Sequence, residues 1–402
     1  MPYFLVPPLL QKAALGVKRE IKVVSLADFY YNVAMKAKVI YTSMRTKAFG
    51  KGLCGKLAEI MDKAGFGTID FDRKFVAIKI HFGERGNLAY LRPNFARTVV
   101  DKVKALGGKP FLTDCNTLYV GSRKDAIEHT ETAWLNGFLP YAVDCPVIIA
   151  DGLKGTDDVA VPIEGGELLK EARIGRAIMD ADIVISLNHF KGHEMCGMGG
   201  AIKNLGMGCG SRAGKMAQHC DGKVAVKTAK CVGCGNCAKI CAHGAPVIAN
   251  RKSTIDLSKC LGCGRCIGVC PTDAISPIGY QGPELLDKKM AEYAKAVVQG
   301  RPNFHINIAM DISPNCDCHC ENDAPIVPDV GMFASFDPVA CDQAAADAVN
   351  AADPNRDSKL GESKVEGRDH FGSISEITDW TRQLAHAEKI GLGTRDYELV
   401  RV

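Results

Sequence analysis

FVAIKIHFGERGNLAYLRPNFARTVVDKVKALGGKPFLTD, residues 75–114, opens on FVAIKIHF (75–82), an apolar, β-branched run of the kind that forms a strand buried on both faces. FARTVVDKVKALGG (95–108) then takes helical apolar spacing and ends at Gly107 and Gly108, and PFLTD (110–114) is a second strand. Strand, helix, strand is a βαβ unit. The same alternation extends in both directions. Upstream lie a strand, AKVIYTS (37–43), and a helix, GLCGKLAEIMDKAG (52–65). Downstream come a helix near 123–136, a strand VIIAD (147–151), an amphipathic helix ELLKEARIGRAIMDA (167–181) and a strand DIVISLN (182–188). After an interruption the pattern resumes with helical EYAKAVVQ (292–299), strands NFHINIAMDI (303–312) and VGMFAS (330–335), and a helix that Asp337 caps and Pro338 begins. Cys341 falls inside that last helix as a core residue.

This alternation predicts an α/β fold, a mainly parallel sheet flanked by helices in Rossmann-like layers, with ligands outside the carboxyl ends of the strands. The period is lost in a Cys/Gly-rich segment. We therefore expect an α/β host in two parts, residues 35–223 and 283–402, interrupted by a small α+β insertion at 224–282. Residues 1–34, with paired prolines and an aromatic cluster at Phe29, Tyr30 and Tyr31, lack periodicity and read as an atypical extension.

A chain of 402 residues with 47% hydrophobic composition can bury a sizeable core. Fifty basic against 46 acidic residues leave a charge of +4. No run of like charge is long enough to follow a phosphate backbone, which argues against nucleic acid. No stretch reaches the ~20 apolar residues of a membrane span. The expectation is a cytoplasmic protein, and the 18 cysteines sit at metal-ligand rather than disulfide-framework spacings.

The strongest motif lies in the insertion. CVGCGNCAKIC sets Cys231, Cys234, Cys237 and Cys241 at C-x2-C-x2-C-x3-C, and CLGCGRCIGVCP repeats the spacing with Cys260, Cys263, Cys266 and Cys270. Each tight turn aims three thiolates at one cubane, while the fourth cysteine of each run serves the other cluster. One 4Fe-4S cluster is thus expected on Cys231, Cys234, Cys237 and Cys270, and a second on Cys260, Cys263, Cys266 and Cys241. Residues 224–282 look like a bacterial two-cluster ferredoxin.

Three further segments carry ligand-capable residues after predicted strands. The glycine-rich run 188–220 holds His193, Lys203 and His219 as candidate catalytic groups, with His189, Cys196, Cys209 and Cys220 beside them. Gly199 and Gly200, with Gly197, let backbone amides approach an anion, and Lys203 adds positive charge; a plain packing loop has the same composition. Lys79 and His81 end a strand pointing one way. CDCHC (316–320) puts Cys316, Cys318 and Cys320 on one side of an extended segment, a possible third site for zinc, nickel or iron. GKGLCGKL (50–57) is not a nucleotide loop, because Leu57 stands where Ser or Thr would hold magnesium.

IKIHFGERGN (78–87), FLTDCNTLYVGSR (111–123), IIADGLKG (148–155), the run 188–215, CDCHC, VGMFASFDPVACDQAAAD (330–347) and GLGTRDYEL (391–399) together resemble the iron-sulfur proteins of the "domain of unknown function 362" family. The resemblance spans Lys36 to the C-terminus and implies a redox or metal-dependent role in an anaerobe. Cys320 is additional to that family's usual CDC. Locally, His193, Lys203 and His219 around GMGG resemble the catalytic segment of the nickel-pincer lactate racemase family. That likeness implies Lys203 contacting a cofactor, His193 as acid/base and His219 as a ligand. The combined expectation is an iron-sulfur oxidoreductase with a redox partner protein and a small-molecule substrate. Alternatives are an electron carrier with a docking host, or a metal-dependent isomerase.

Overall fold

Eight strands form one sheet: β1 (Ala37–Ser43), β2 (Phe75–Lys79), β3 (Lys109–Asp114), β4 (Val147–Ile149), β5 (Ile183–His189), β6 (Asn303–Ala309), β7 (Gly331–Ser335) and β8 (Tyr397–Arg401). They belong to a computed structural model that describes residues 36–363 and 367–402; the extension expected at 1–34 lies outside the described residues. The strand order is β8-β1-β7-β6-β5-β2-β3-β4. All neighbouring pairs are parallel except the two that β7 makes with β1 and β6. The sheet is mostly parallel because helical crossovers return the chain to the same end.

Consecutive strand residues feed opposite core layers. Val76 and Ile78 join one layer with Leu57, Ile60 and Val99 from helices Leu53–Lys63 and Pro93–Ala105. Ala77 and Val184 join the other, with Leu205, Met290 and Ala345 from helices Ala201–Cys209, Pro283–Val298 and Pro338–Asn350. Both faces of the sheet are covered, which is why its strands read as continuous apolar runs. The Asp337 carboxylate accepts from the Val339 and Ala340 amides, and Cys341 is buried core, as the sequence suggested.

The connectivity makes a switch point. From β2 the chain steps outward to β3 and β4, then returns to the other side of β2 for β5 and continues to β6. The carboxyl ends of β2 and β5 therefore flank the place where strand order reverses, the position at which open α/β sheets hold ligands.

The structure corrects several expectations. ELLKEARIGRAIMDA is not one helix: Glu171–Gly175 pairs antiparallel with Asp158–Pro162, and only Arg176–Met179 is helical. Ala172 and Ile174 are buried while Glu171 and Arg173 are exposed, a two-residue period that outweighs helical propensity. The strand at 75–82 ends at Lys79 and the one at 303–312 ends at Ala309. CDCHC is a turn rather than an extended segment, closed by the His319 amide donating to the Cys316 carbonyl at 3.1 Å. The closing strand β8 has no counterpart among the expected elements.

Residues around 224–282 form a small α+β segment. Cys220–Val226 pairs with Ile275–Tyr280, Pro246–Ala249 pairs with Lys252–Ile255, and Asn236–Ile240 and Arg265–Gly268 are short helices. Leu118 and Met216 join its own small core. Lys124 Nζ fastens it further, reaching the Cys270 carbonyl at 3.3 Å and the Asp273 carboxylate at 2.5 Å. Among the described residues, no helix is long and apolar enough to cross a membrane.

Candidate functional site

A cavity of about 300 Å³ opens at the carboxyl ends of four adjacent parallel strands. β2 ends in Lys79 and leads to His81, β3 ends in Asp114 and leads to Tyr119, β5 leads into His189, Lys191 and His193, and β6 leads to Cys316, Asp317, Cys318 and His319. Gly199, Gly200 and Lys203 from the glycine-rich run, and His219 from the end of helix Arg212–His219, also line it. Residues separated by more than two hundred positions thus meet because their strands are neighbours.

Lys79 is fully buried, with its ammonium 2.9 Å from the Asp114 carboxylate and 2.7 Å from Asn204 Oδ1. A side chain at Gly208 would collide with that ammonium. Burial alone would raise the Asp114 carboxyl, but Lys79, His129 and His81 hold it well below the ordinary range. His81 stacks its charge logic on Arg123: the guanidinium lies 3.1 Å from His81 Nε2 and 3.1 Å from the Glu84 carboxylate. Burial, then Arg123, lower His81 to about 3, so the ring is neutral near pH 7.

His193 Nδ1 accepts from the Met195 and Cys196 amides at 3.0 and 3.2 Å. That leaves the proton on Nε2, which faces Glu194 Oε1 at 3.6 Å. Burial, followed by Lys203, lowers its pKa. His219 is pushed to about 3, first by burial and then by His193; its ring meets Tyr119 Oη at 3.0 Å. Both rings are therefore held neutral, and His193, with Nδ1 taken by two amides, presents an N–H rather than a lone pair.

Lys203 Nζ lies 3.1 Å from Cys316 Sγ. Burial would raise the Cys316 thiol, yet the hydrogen bond from Cys318 and the ammonium groups of Lys191 and Lys203 hold it well below the usual thiol value. Asp317 pairs with His189 Nδ1 at 2.9 Å, and His189 Nε2 meets the Met310 carbonyl at 2.8 Å, so this histidine braces the turn. Cys320 stands apart: it is exposed, and its thiol faces the Glu321 carboxylate at 2.8 Å.

Gly199 and Gly200 line the cavity, and the two amides that follow them are taken by the protein itself. The buried Asp342 carboxylate accepts from the Ala201 and Ile202 amides at 2.6 and 2.9 Å and from Asn307 Nδ2 at 2.7 Å. Gly200 is small because any side chain there would strike Asp342. The glycine-rich run is thus partly the packing loop its composition also allowed. Lys56 of the discarded nucleotide motif donates to the Ser43 and Arg45 carbonyls instead.

Asp114, Glu84, Arg123, Lys191, Glu194 and Lys215 are site residues that sequence reasoning did not single out. Asp114 and Arg123 stood within FLTDCNTLYVGSR, just after a predicted strand, which was the available signal. Lys215 lies in a helix whose approach to the cavity depends on tertiary packing.

The cysteine runs frame two smaller cavities. Cys231, Cys234, Cys237 and Cys270 line one, and Cys241, Cys260, Cys263 and Cys266 line the other. The Ser253, Ala274 and Ala245 amides donate to the sulfurs of Cys231, Cys270 and Cys241 at 3.3, 3.2 and 3.4 Å. Gly233 and Gly262, second residues of the two turns, both have positive φ and stand where a side chain would strike backbone.

The chain is similar to a thylakoid-associated protein of Synechocystis sp., with 30% identity over 173 residues, which is 40% of this chain and 49% of that protein. It thus spans about half the length of that curated relative. Two solved structures are also similar to it in part. The lactate racemase apoprotein of Thermoanaerobacterium thermosaccharolyticum has 11% identity and a TM-score of 0.35, covering 68% of this chain and 51% of that one. A protein from Thermotoga maritima has 10% identity and a TM-score of 0.37, covering 73% and 57%. A family model described as "Domain of unknown function (DUF362)" matches residues 76–347, and the chain belongs to that family.

Proposed function

We propose that this member of the DUF362 family is an iron-sulfur oxidoreductase in which residues 224–282 hold two 4Fe-4S clusters and the cavity at the sheet's carboxyl edge takes a small organic anion. The observation that carries the reading is the crossed lining of the two cysteine cavities, three thiols from one run and the fourth from the other. Zinc fits less well, since closed zinc sites draw on paired CxxC ligands rather than exchanging the fourth cysteine. The backbone amides that point at three of the sulfurs suit clusters, whose potentials respond to such hydrogen bonds. When bound, the clusters would supply single-electron transfer.

The residues of the chain itself account for the rest. Leu118 packs in the core of the cysteine segment and also lines the main cavity, so one side chain separates the two compartments. Tyr119, His219 and Tyr280 form edge-on ring contacts along the same boundary, at 5.4 and 6.5 Å. Lys191 and Lys215 face the cavity at 3% and 6% exposure; among the described residues neither ion-pairs with a carboxylate, each ammonium reaches only a backbone carbonyl (Gly192 at 3.4 Å, Gly210 at 2.5 Å), and buried cations satisfied in that way favour an anionic ligand. Leu286 and Met290 give the ligand an apolar wall. The Nε2–H of His193 is the group placed to give the ligand a proton. A redox partner protein would exchange electrons at the cysteine segment, near exposed Val232 and Leu261, and a reducing cytoplasm suits 18 cysteines that form no disulfide.

Anaerobic reconstitution with iron and sulfide, followed by quantitation of both, tests the assignment. About eight irons per chain are expected. Cys270→Ser is expected to disturb the cluster shared with Cys231, Cys234 and Cys237 and to leave the other spectroscopically unchanged. Stoichiometric zinc without sulfide, or equal damage to both clusters, would remove the reading.

A further inference from the structure

Glu194, Cys318 and His319 bring ligand atoms within 4.8 Å of one another on the cavity wall, using none of the cysteines of the two runs. Glu194 Oε1 and His319 Nε2 are already 3.1 Å apart. Bonds of ~2.0–2.3 Å to a tetrahedral ion separate its ligand atoms by roughly 3.5 Å, so modest side-chain rotation closes the set.

The surroundings orient each donor. Glu194 Oε2 accepts from the Cys316 amide at 3.3 Å, which turns Oε1 toward His319. His319 Nδ1 faces the Glu321 carboxylate at 3.7 Å, the kind of outer partner that fixes a ligating imidazole. Cys316 takes the Lys203 ammonium at 3.1 Å and the thiol hydrogen bond of Cys318, so Cys318 is the sulfur that would exchange its proton for the ion.

We infer that Glu194, Cys318 and His319 bind one borderline divalent transition ion, of the zinc or nickel class, with a coordination position open to the cavity. A mixed oxygen, sulfur and nitrogen donor set disfavours magnesium and calcium, which take oxygen ligands. Three protein ligands beside an open cavity match the pattern of catalytic rather than structural zinc sites, so the ion would contact whatever occupies the cavity. Cys320, which the sequence grouped with Cys316 and Cys318, takes no part. The inference does not rest on the iron-sulfur reading, because the two share no ligand.

The test is an anaerobic cobalt(II) titration of the full chain after iron-sulfur reconstitution, reading bound cobalt, the thiolate-to-cobalt difference absorption and iron on the same samples. One cobalt per chain is expected. Cys318→Ala should abolish the thiolate absorption, and Glu194→Gln and His319→Ala should each weaken binding roughly tenfold or more. Cys320→Ala should bind as the parent does, and unchanged iron in every variant reports an intact fold. Absence of stoichiometric cobalt in the parent would overturn the inference, as would parent-like cobalt absorption in Cys318→Ala or its loss in Cys320→Ala. Iron without cobalt refutes this site alone, whereas cobalt lost with Cys318 in a chain that takes up no iron refutes the cluster assignment alone.

Discussion

Burial decides the chemistry of single residues throughout this chain, and His305 shows it most cleanly. It sits in β6 with Nδ1 2.9 Å from Ser186 Oγ and Nε2 2.8 Å from Asn303 Oδ1, and burial lowers it to about 3. Between pH ~3 and ~6.5 the unfolded chain binds a proton there that the folded chain refuses. Its contribution is therefore complete above the unfolded value and is lost as the pH falls toward 3. In urea titrations across that window, His305→Asn should lower the dependence of stability on pH by about 1.4 kcal/mol per unit, whatever it does to stability itself. An unchanged slope would mean that His305 titrates alike in both states. The location of single residues was legible in the sequence where a polar group followed a strand: Lys79, His81, His193, Lys203, Cys316 and Cys318 all reach one cavity. Asp342 was not, because its partners at Ala201 and Ile202 lie about 140 positions away and only packing joins them.

The helix that carries Lys203 is built to lie close against Pro283–Val298. A side chain at Gly206 would collide with the Met290 carbonyl, so the two helices meet backbone to backbone. Alanine gains up to about 1 kcal/mol in helix propensity over glycine, whereas overpacking costs about 1–3 kcal/mol. Gly206→Ala is therefore expected to destabilise, measured as a lower urea midpoint, and a higher midpoint would show that the helices can separate without loss. The strand elements were readable from apolar runs because the sheet is covered on both faces. The hairpin at 158–175 is hidden in the sequence, since ELLK supplies helix-forming residues next to an EARIG segment whose two-residue period is only five positions long. β8 was missed because its exposure alternates weakly along an edge, and no residue there is fully buried.

At the scale of the whole molecule, the sheet and its two core layers are one structure, and the cysteine segment adds a third, smaller core joined through Leu118 and Met216. If the segment depends on bound iron, an anaerobic chelator should raise amide exchange at 224–282 and in the 115–125 loop while β2, β3, β5 and β6 stay protected. Protection of that loop after iron removal would show the two compartments to be uncoupled. The α/β class and the mostly parallel sheet could be read from alternation alone. The switch point could not, because strand order depends on which neighbours pack and not on any local pattern.

The loop between β3 and helix Ala126–Leu135 sends Tyr119 and Arg123 into the main cavity and Leu118 and Lys124 into the cysteine segment. It is a party wall, finished on both sides. A different cysteine segment could not be transplanted into this host without recutting the loop, and recutting the loop would reshape the cavity. The two compartments are therefore heritable as a matched pair, and substitutions on one side of the wall should be tolerated only alongside compensating ones on the other.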